Sequence, residues 1–323
     1  MAGSQAQRLG LSPAISTSKL KLFALLGLMV TIWSLNFVFA KVALEEIPPL
    51  ALPALRTSVA AICTIAIWVF LRVGFNSRGT SGPLADGEAK ASRGLKPAPQ
   101  DFPRLALAAT CGITLNQFFY AISVKNTSIA HSSLIMALTP LAALLIAVAI
   151  RHEHASLASF GGMAIALAGV VLLQMGKADG GTAGVWGDLA AVACALSFGA
   201  YSVVGKPLSE KYDALTLNAW SNVIGAACLI PIALIPGIPF SRLSAAAWLG
   251  VLYMGVMGST VAYVIYAYAL KHMRSSHVAM YAYIQPILAT FFALLFLREP
   301  ITWPMCAAGM LILVGVWISG RSK

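Results

Sequence analysis

Neutral polar and aromatic side chains recur inside the long apolar runs of this sequence, where they could bind a small molecule. Aromatic rings combined with a few hydrogen-bonding groups suit a small amphipathic or zwitterionic solute. Some of these side chains could instead bridge helices, since polar contacts between membrane helices contribute about 0.6 kcal/mol each. We expect about half of them to line a substrate path. The candidate substrate-binding residues are Trp33, Asn36, Asn116, Gln117, Tyr120, Thr139, Tyr201, Tyr263, Tyr266, Tyr281 and Gln285.

Few ionisable side chains lie inside the apolar runs. No Asp or Glu lies at the middle of a run, and Asp188 is near the end of one. Arg56 lies within a run, where a charge is costly and usually functional. It could hold a substrate carboxylate, reach the membrane interface or tie its helix to a helix end, and we favour a structural role. His131 and His277 lie near opposite ends of two runs, which suits either paired gate or proton-sensing roles or two interfacial groups.

Enzymatic chemistry has little support in this sequence. An enzyme needs a nucleophile with its base, paired carboxylates or a set of metal ligands. The stretch HEHAS at 152–156 comes nearest to a His-Glu-x-x-His zinc motif, but the spacing of its histidines is wrong. No nucleotide-binding loop is present. The alternative of an intramembrane enzyme acting on a lipid or another small substrate is therefore disfavoured, and we expect no cofactor.

The composition is that of an integral membrane protein. Of the 323 residues, 59% are hydrophobic and 10% are charged, whereas soluble domains carry about 25% charged residues. The sequence predicts an all-α fold with ten transmembrane helices, each long enough for a hydrocarbon core of about 30 Å. A connection at 72–103, rich in Gly, Pro, Ser and charge, is predicted to be a disordered loop. The ten predicted spans are 22–40, 50–71, 104–124, 127–150, 156–175, 186–205, 214–236, 245–270, 276–297 and 301–319.

The distribution of Lys and Arg predicts the orientation. With the 1–21 tail on the cytoplasmic side, that side carries sixteen of these residues and the opposite side carries five. Basic residues concentrate on the cytoplasmic side of membrane proteins. We therefore predict a multi-pass protein of the cytoplasmic membrane with both termini and the 72–103 loop in the cytoplasm. The net charge of +11 is then a topology signal and does not indicate nucleic-acid binding.

The chain contains two related halves, at 22–175 and 186–319. The first and sixth spans align as TIWSLNFVFAK and LSFGAYSVVGK at a shift of 165 residues, which pairs Lys41 with Lys206. Five spans per half is an odd number, so the halves must cross the membrane in opposite senses. Inverted repeats of this kind are typical of secondary transporters, with the substrate site between the repeats. A shift of 146 residues pairs Gly112 with Gly258, Tyr120 with Tyr266, Lys125 with Lys271, His131 with His277, Pro140 with Pro286 and Glu153 with Glu299.

Two of the paired residues are prolines at the centres of spans four and nine. Proline removes a helix hydrogen bond, and freed carbonyls inside a membrane must face protein or a watery cavity. Either Pro140 and Pro286 are packing kinks or they are hinges beside a cavity, and their recurrence favours hinges. The paired carboxylates Glu153 and Glu299 precede spans five and ten, where helix capping is expected.

Several stretches resemble the drug/metabolite transporter superfamily, specifically its EamA-type ten-helix bacterial members. The resemblance implies a carrier with a central cavity lined by spans 1, 3, 4, 6, 8 and 9, of a kind that exports amino acids, other metabolites or drugs. The implied partners are a small-molecule substrate and the lipid bilayer. Small residues at 161–170 and 307–316 could pack spans five and ten together or form a homodimer. The resemblance rests on WSLNFVFAKVAL (33–44), LPALRTSVAA (52–61), SIAHSSLIMALTPLAALL (128–145) and the stretch from KHMRSSHVAMYAYIQPILAT to LREPITWPMCAAGMLILVGV (271–316).

Overall fold

The computed structural model describes residues 17–76, 97–150, 156–175, 182–238, 240–272 and 284–321, which form helices and short connections. Seven helices are long and apolar enough to cross a membrane, and three shorter apolar helices complete the ten. The predicted all-α class with ten spans is therefore confirmed. The spans are 1, Thr17–Glu46; 2, Leu52–Asn76; 3, Phe102–Ala109, Thr110–Leu115 and Asn116–Asn126; 4, Ile129–Met136 and Thr139–Ala149; 5, Leu157–Met175; 6, Thr182–Lys211; 7, Ala214–Ala233; 8, Ala245–Leu252, Tyr253–Val261 and Ala262–His272; 9, Ile284–Leu297; 10, Trp303–Arg321.

The helices extend beyond several of the predicted boundaries. Span 2 continues to Asn76, and a 3₁₀ turn at Pro99–Asp101 leads into span 3. Both ends of the predicted 72–103 loop are therefore helical, while residues 77–96 lie outside the described part of the chain. The sequence RVGFN contains no proline, so span 2 can continue through it, and Pro99 suits the first position of a helical turn.

Six spans form two groups that each mix the two halves of the chain. Spans 1, 8 and 9 pack together, and we call them bundle A; spans 3, 4 and 6 pack together as bundle B. The repeat relates span 1 to 6, span 3 to 8 and span 4 to 9, so it exchanges the two bundles. Span 2 packs on spans 7 and 8, and its counterpart span 7 packs on spans 2 and 3. The inverted repeat thus extends from the sequence to the packing of the spans.

Spans 5 and 10 pack against each other through small residues. A side chain at Gly162 would overlap the backbone of Gly315 and Ser319, and one at Gly315 would overlap the backbone of Ala166. Such close approach requires glycine, because any Cβ would push the helices apart. The small-residue stretches therefore serve packing within one chain, and the question of a homodimer stays open.

The hydrophobic core differs between the two sides of the membrane. We name the sides after Lys41, at the predicted outer ends of the spans, and Lys206, at the predicted inner ends. On the Lys41 side one cluster includes Phe37 of span 1, Tyr120 of span 3, Ile129 of span 4 and Ala289 of span 9, so it joins both bundles. On the Lys206 side, one cluster holds residues of spans 1 and 8, and a second, separate cluster holds residues of spans 3 and 6. Within the described part of the chain, the two bundles thus share a core on the Lys41 side only.

Candidate functional site

Arg56 is buried between the two bundles, with 4% of its surface exposed. Its Nη2 donates a hydrogen bond of 3.1 Å to Ser259 Oγ in span 8, and its Cζ lies 5.5 Å from the ring centroid of Tyr120 in span 3. Nε and Nη1 have no hydrogen-bond partner among the described residues. The side chain therefore does not reach the interface, and its hydrogen bond goes to a side chain instead of a helix end. An arginine at such depth costs about 2.5 to 3.5 kcal/mol on insertion scales, so its unused donors call for an explanation.

Asn36 lies beside Arg56 and connects the bundles. Its Nδ2 donates a hydrogen bond of 2.8 Å to the hydroxyl of Tyr120. Its Oδ1 has no hydrogen-bond partner among the described residues and lies against Gly258, where a Cβ would overlap it. The same Cβ would also lie 3.5 Å from Arg56 Nη2. The unused acceptor of Asn36 and the guanidinium of Arg56 therefore both lie beside one glycine of span 8.

The repeat produces a matching contact in the other bundle. Gly112 of span 3, the counterpart of Gly258, faces Tyr201 of span 6, and a Cβ there would overlap the tyrosine ring. Tyr201 is the counterpart of Asn36 at the shift of 165 residues. Both glycines lie in π-helical segments, at Thr110–Leu115 and Tyr253–Val261. Such segments recur at functional sites, and here they lie at equivalent positions of spans 3 and 8.

Three aromatic side chains form one wall next to Asn36 and Arg56. The ring of Trp33 lies 5.7 Å from that of Tyr263, edge to face, and 5.9 Å from that of Tyr266. The Trp33 Nε1 donates to the carbonyl of Gly258 at 3.1 Å. The structure thus brings together five predicted binding residues (Trp33, Asn36, Tyr120, Tyr263 and Tyr266) around Gly258 and Arg56.

Other predicted binding residues use their polar atoms for helix contacts. The Nδ2 of Asn116 donates to the carbonyl of Cys194 at 3.2 Å, which joins spans 3 and 6. Thr139 donates to the carbonyl of Met136 at 2.7 Å within span 4. Gln117 is buried, and Gln285 is half-buried at the start of span 9. Tyr281 and His277 lie outside the described residues. A role in binding stays a prediction for each of the substrate-site candidates.

The first of the two repeated prolines coincides with a break in its helix. Span 4 divides at Ala137 and Leu138, and Pro140 occupies the first turn of the helix Thr139–Ala149. Pro286 is buried within the described helix Ile284–Leu297, and the preceding residues 273–283 lie outside the described part of the chain. The hinge role of both prolines stays a prediction.

His131 is a buried member of an ionisable pair. Its Nδ1 lies 3.6 Å from Asp188 Oδ2, and the residues are 6% and 3% exposed. The side chain therefore packs against span 6 inside the protein. Hydropathy could not reveal this pair, because spans 4 and 6 are distant in the chain and their adjacency has no local signal. The gate or proton-sensing role of His131 stays a prediction.

Three ionic side chains on the Lys41 side join the bundles at their ends. Lys41 of span 1 donates to the carbonyls of Val124 at 2.8 Å and Thr127 at 2.7 Å. Lys125 of span 3 donates in return to the carbonyl of Leu44 at 2.6 Å. Such carbonyls at helix C-termini carry partial negative charge and lack partners within the helix. The two lysines thus exchange hydrogen bonds across the bundle boundary.

The carboxylate of Glu299 also crosses this boundary. It accepts a hydrogen bond of 2.9 Å from the backbone N–H of Ile129, at the start of span 4. Capping by Glu299 was expected, but for span 10, which follows it in sequence. That expectation is wrong as to the helix, because the turn after span 9 directs the carboxylate toward the neighbouring bundle.

On the Lys206 side, the ionic hydrogen bonds of the described residues lie within bundle B, and the side chain of Lys206 is exposed. Among the described residues, the ammonium group of Lys206 makes no hydrogen bond or ion pair, unlike its counterpart Lys41. Asp101, in the 3₁₀ turn before span 3, accepts hydrogen bonds from Lys211 at 3.0 Å and from the Tyr212 hydroxyl at 2.8 Å, at the end of span 6. Among the described residues, Lys206 therefore does not make the cross-bundle contacts that its counterpart Lys41 makes.

Sequence reasoning missed two polar residues that support Arg56. Ser259 accepts from Arg56 through its hydroxyl, and its carbonyl accepts a hydrogen bond of 3.0 Å from Asn218 Nδ2 of span 7. Both residues are buried. Small polar residues are frequent in membrane helices, so neither of them stood out in the sequence.

Comparison with known proteins gives consistent results. A sequence profile of the EamA-like transporter family matches residues 21–175 and 185–321. An uncharacterized transporter of Archaeoglobus fulgidus is 28% identical over 307 residues, which cover 93% of this chain and 97% of the relative. A probable terminal-alkyne amino-acid exporter of Streptantibioticus cattleyicolor is 24% identical over 279 residues, covering 81% of this chain and 92% of the relative. A protein of known crystal structure shares the fold, with a TM-score of 0.62 at 22% identity, over 92% of this chain and 96% of that one.

Proposed function

Because this chain belongs to the EamA-like transporter family, we propose that it is a secondary transporter of a small amphipathic or zwitterionic metabolite. The substrate would be an amino-acid-like compound or a drug, and it would cross the cytoplasmic membrane by alternating access at the Asn36–Arg56 region. The chain is a multi-pass membrane protein with ten helices. We propose that both termini face the cytoplasm, so that the Lys206 side is the inner side.

The observation that carries this proposal is the unequal packing of the two sides. One core and the cross-bundle contacts of Lys41, Lys125 and Glu299 close the Lys41 side. On the Lys206 side the described residues of the two bundles form separate cores. A carrier that alternates must close one side while the other side is open, and this packing suits the conformation that loads substrate from the Lys206 side.

The inverted repeat supplies the other conformation. At the same shifts, the contact of Lys41 with the carbonyl of Val124 corresponds to a contact of Lys206 with the carbonyl of Leu270. The contact of Lys125 with Leu44 likewise corresponds to one of Lys271 with the carbonyl of Ser209. We expect these inner contacts to form when the Lys41 side opens. The protein then exchanges one set of cross-bundle lysine contacts for the other.

Export is the direction that we propose. The relative from Streptantibioticus cattleyicolor is named a probable amino-acid exporter, and the conformation described here would accept substrate from the predicted cytoplasmic side. A chemically related substrate would explain the combination of aromatic rings and unused polar atoms beside Gly258.

Transport into vesicles tests this function. Purified protein is reconstituted into liposomes, and the uptake of a panel of labelled hydrophobic amino acids is followed by filtration and mass spectrometry. We expect saturable uptake of unchanged compound that is accelerated by unlabelled substrate inside the vesicles. Empty liposomes and a variant cross-linked between Leu44→Cys and Lys125→Cys serve as controls. Chemical conversion of the compound would favour the enzyme alternative, and equal uptake in the cross-linked variant would contradict alternating access.

A further inference from the structure

We propose that Arg56 binds the carboxylate of the transported substrate and that Asn36 Oδ1 accepts a hydrogen bond from a donor next to that carboxylate. This assignment rests on the proposed transport function and defines its substrate class as carboxylates, zwitterionic amino acids among them. It replaces the structural role that the sequence favoured for Arg56.

The first step is the missing counter-charge of Arg56. Among the described residues, the buried ionisable side chains other than tyrosine and cysteine are Arg56, His131 and Asp188. Asp188 lies beside His131. The ring of Tyr120 lies 5.5 Å from Arg56 Cζ, but a phenol is uncharged at neutral pH in its ordinary state. Buried charges are normally paired, so a ligand is the natural source of the anion.

The second step is the geometry of the unused atoms. Ser259 takes a hydrogen bond from Nη2, while Nε and Nη1 keep donors that no described group accepts. A planar guanidinium matches the two oxygens of a carboxylate, which can accept two parallel hydrogen bonds. The free Oδ1 of Asn36 lies beside the same Gly258 and would accept from the ammonium group of an amino acid. Trp33 and Tyr263 stand next to the pair and would contact an apolar side chain.

The third step excludes a more highly charged ligand. A phosphate or phosphonate dianion at this depth needs more than one cation to balance it. Along span 1, Lys41 is the lysine closest in sequence to Asn36, and its ammonium group is already bonded to two carbonyls on the Lys41 side. A single arginine therefore matches the single charge of a carboxylate.

The position of the site links binding to the conformational change. Arg56 contacts bundle A through Ser259 and bundle B through the ring of Tyr120. Tyr120 also belongs to the core that closes the Lys41 side. A carboxylate bound to Arg56 would therefore replace or reinforce contacts at the boundary that must open.

Binding of three matched probes to the purified full-length protein tests the assignment. The probes are 3-phenylpropionate, its neutral amide and the corresponding phosphonate, and the measurement is the shift of Tm with probe concentration, which reports affinity. We expect the carboxylate to bind at least about tenfold more tightly than the amide and the phosphonate. In Arg56→Gln the preference should fall to about twofold or less, and Arg56→Lys should give an intermediate preference. Arg242 is exposed, so the control variant Arg242→Gln should leave the preference unchanged.

The outcomes separate this assignment from the transport function. If the wild-type protein binds the acid and the amide equally, or if Arg56→Gln or Arg56→Lys keeps the full preference, the carboxylate assignment is wrong. If the vesicles take up only amines or neutral compounds, the carboxylate assignment is wrong but the transport function stands. Carboxylate-selective binding that depends on Arg56, without transport of any bound compound, would overturn the transport function and leave the binding site intact. If Arg56→Gln does not fold, the comparison of Arg56→Lys with Arg242→Gln still decides the question.

Discussion

The amide of Asn36 and the hydroxyl of Tyr120 form a hydrogen bond of 2.8 Å that joins bundle A to bundle B. Tyr120 is itself a member of the shared core of the Lys41 side. Opening of the Lys41 side must therefore break or shift this hydrogen bond.

Removal of the Tyr120 hydroxyl should favour opening of the Lys41 side. In Tyr120→Phe the bond to Asn36 is lost, which should weaken the closed conformation by about 1 kcal/mol. The measurement is maleimide labelling of Ala121→Cys, a buried position of the shared core, in a background without native cysteines. We expect labelling from the Lys41 side to become about fivefold faster.

A second tyrosine provides the control for this variant. The hydroxyl of Tyr253 donates to the carbonyl of Ile32 at 3.1 Å within bundle A. Tyr253→Phe therefore removes a comparable bond that does not cross the bundle boundary. If both variants accelerate labelling equally, the effect is a general loss of stability and the cross-bundle role of Tyr120 is wrong.

Lys41 and Lys206 should have opposite effects when each is changed to Met. Lys41→Met removes two hydrogen bonds that close the Lys41 side, so labelling of Ala121→Cys should become faster. Lys206→Met removes a contact that we expect only in the other conformation, so labelling should become slower. The double variant should return toward the wild-type rate, because the two changes act on opposite states of one equilibrium. Changes of the same sign in both single variants would contradict the exchange of lysine contacts.

The sequence predicted the ten spans and the inverted halves because the bilayer determines how long an apolar segment must be and on which side Lys and Arg concentrate. It also identified the pair Gly112 and Gly258, whose equivalent contacts with Tyr201 and Asn36 follow from the repeat. It could not predict the partners of Arg56, because Ser259 is 203 residues away and nothing local marks the adjacency.

Other contacts were unpredictable for the same physical reason. Within a membrane, helix faces toward lipid and toward neighbouring helices are both apolar, so periodicity does not show which spans meet. The contact of Glu299 with the start of span 4 and the approach of His131 to Asp188 both depend on that adjacency. The repeat reduces the number of possible pairs of adjacent spans, but it does not determine which of two equivalent positions carries a charge.

The repeated prolines should affect transport more than insertion. Pro140→Ala restores a backbone donor next to the break in span 4 and should straighten that helix. Pro286→Ala makes the equivalent change in span 9. We expect each variant to reduce the transport rate in vesicles severalfold while the amount of inserted protein stays close to that of the wild type.

A third proline offers a matched control. Pro231 lies inside the helix of span 7, outside both bundles. Pro231→Ala should leave the transport rate close to that of the wild type. Wild-type rates in both Pro140→Ala and Pro286→Ala would identify these prolines as packing kinks without a role in the conformational change.

The buried pair of His131 and Asp188 is the strongest candidate among the described residues for coupling transport to protons. Its imidazole and carboxylate lie 3.6 Å apart and are almost fully buried, and buried histidine and acidic side chains in membrane helices commonly form proton relays. The carboxylate of Glu299, which follows span 9, accepts from the N–H of Ile129, two residues before His131 in span 4. Opening of the Lys41 side would expose this region and allow a proton to exchange.

We expect a pH gradient without a substrate gradient to drive uphill accumulation in vesicles that contain the wild-type protein. His131→Gln and Asp188→Asn should each abolish the uphill component, because one member of the pair can no longer take part in proton exchange. Downhill exchange of labelled for unlabelled substrate should persist in both variants, which separates loss of coupling from misfolding. Absence of pH-driven accumulation in the wild type would identify a facilitator or exchanger driven by the substrate gradient alone. Full uphill accumulation in both variants would instead assign the proton to another group, with His277 as the next residue to change.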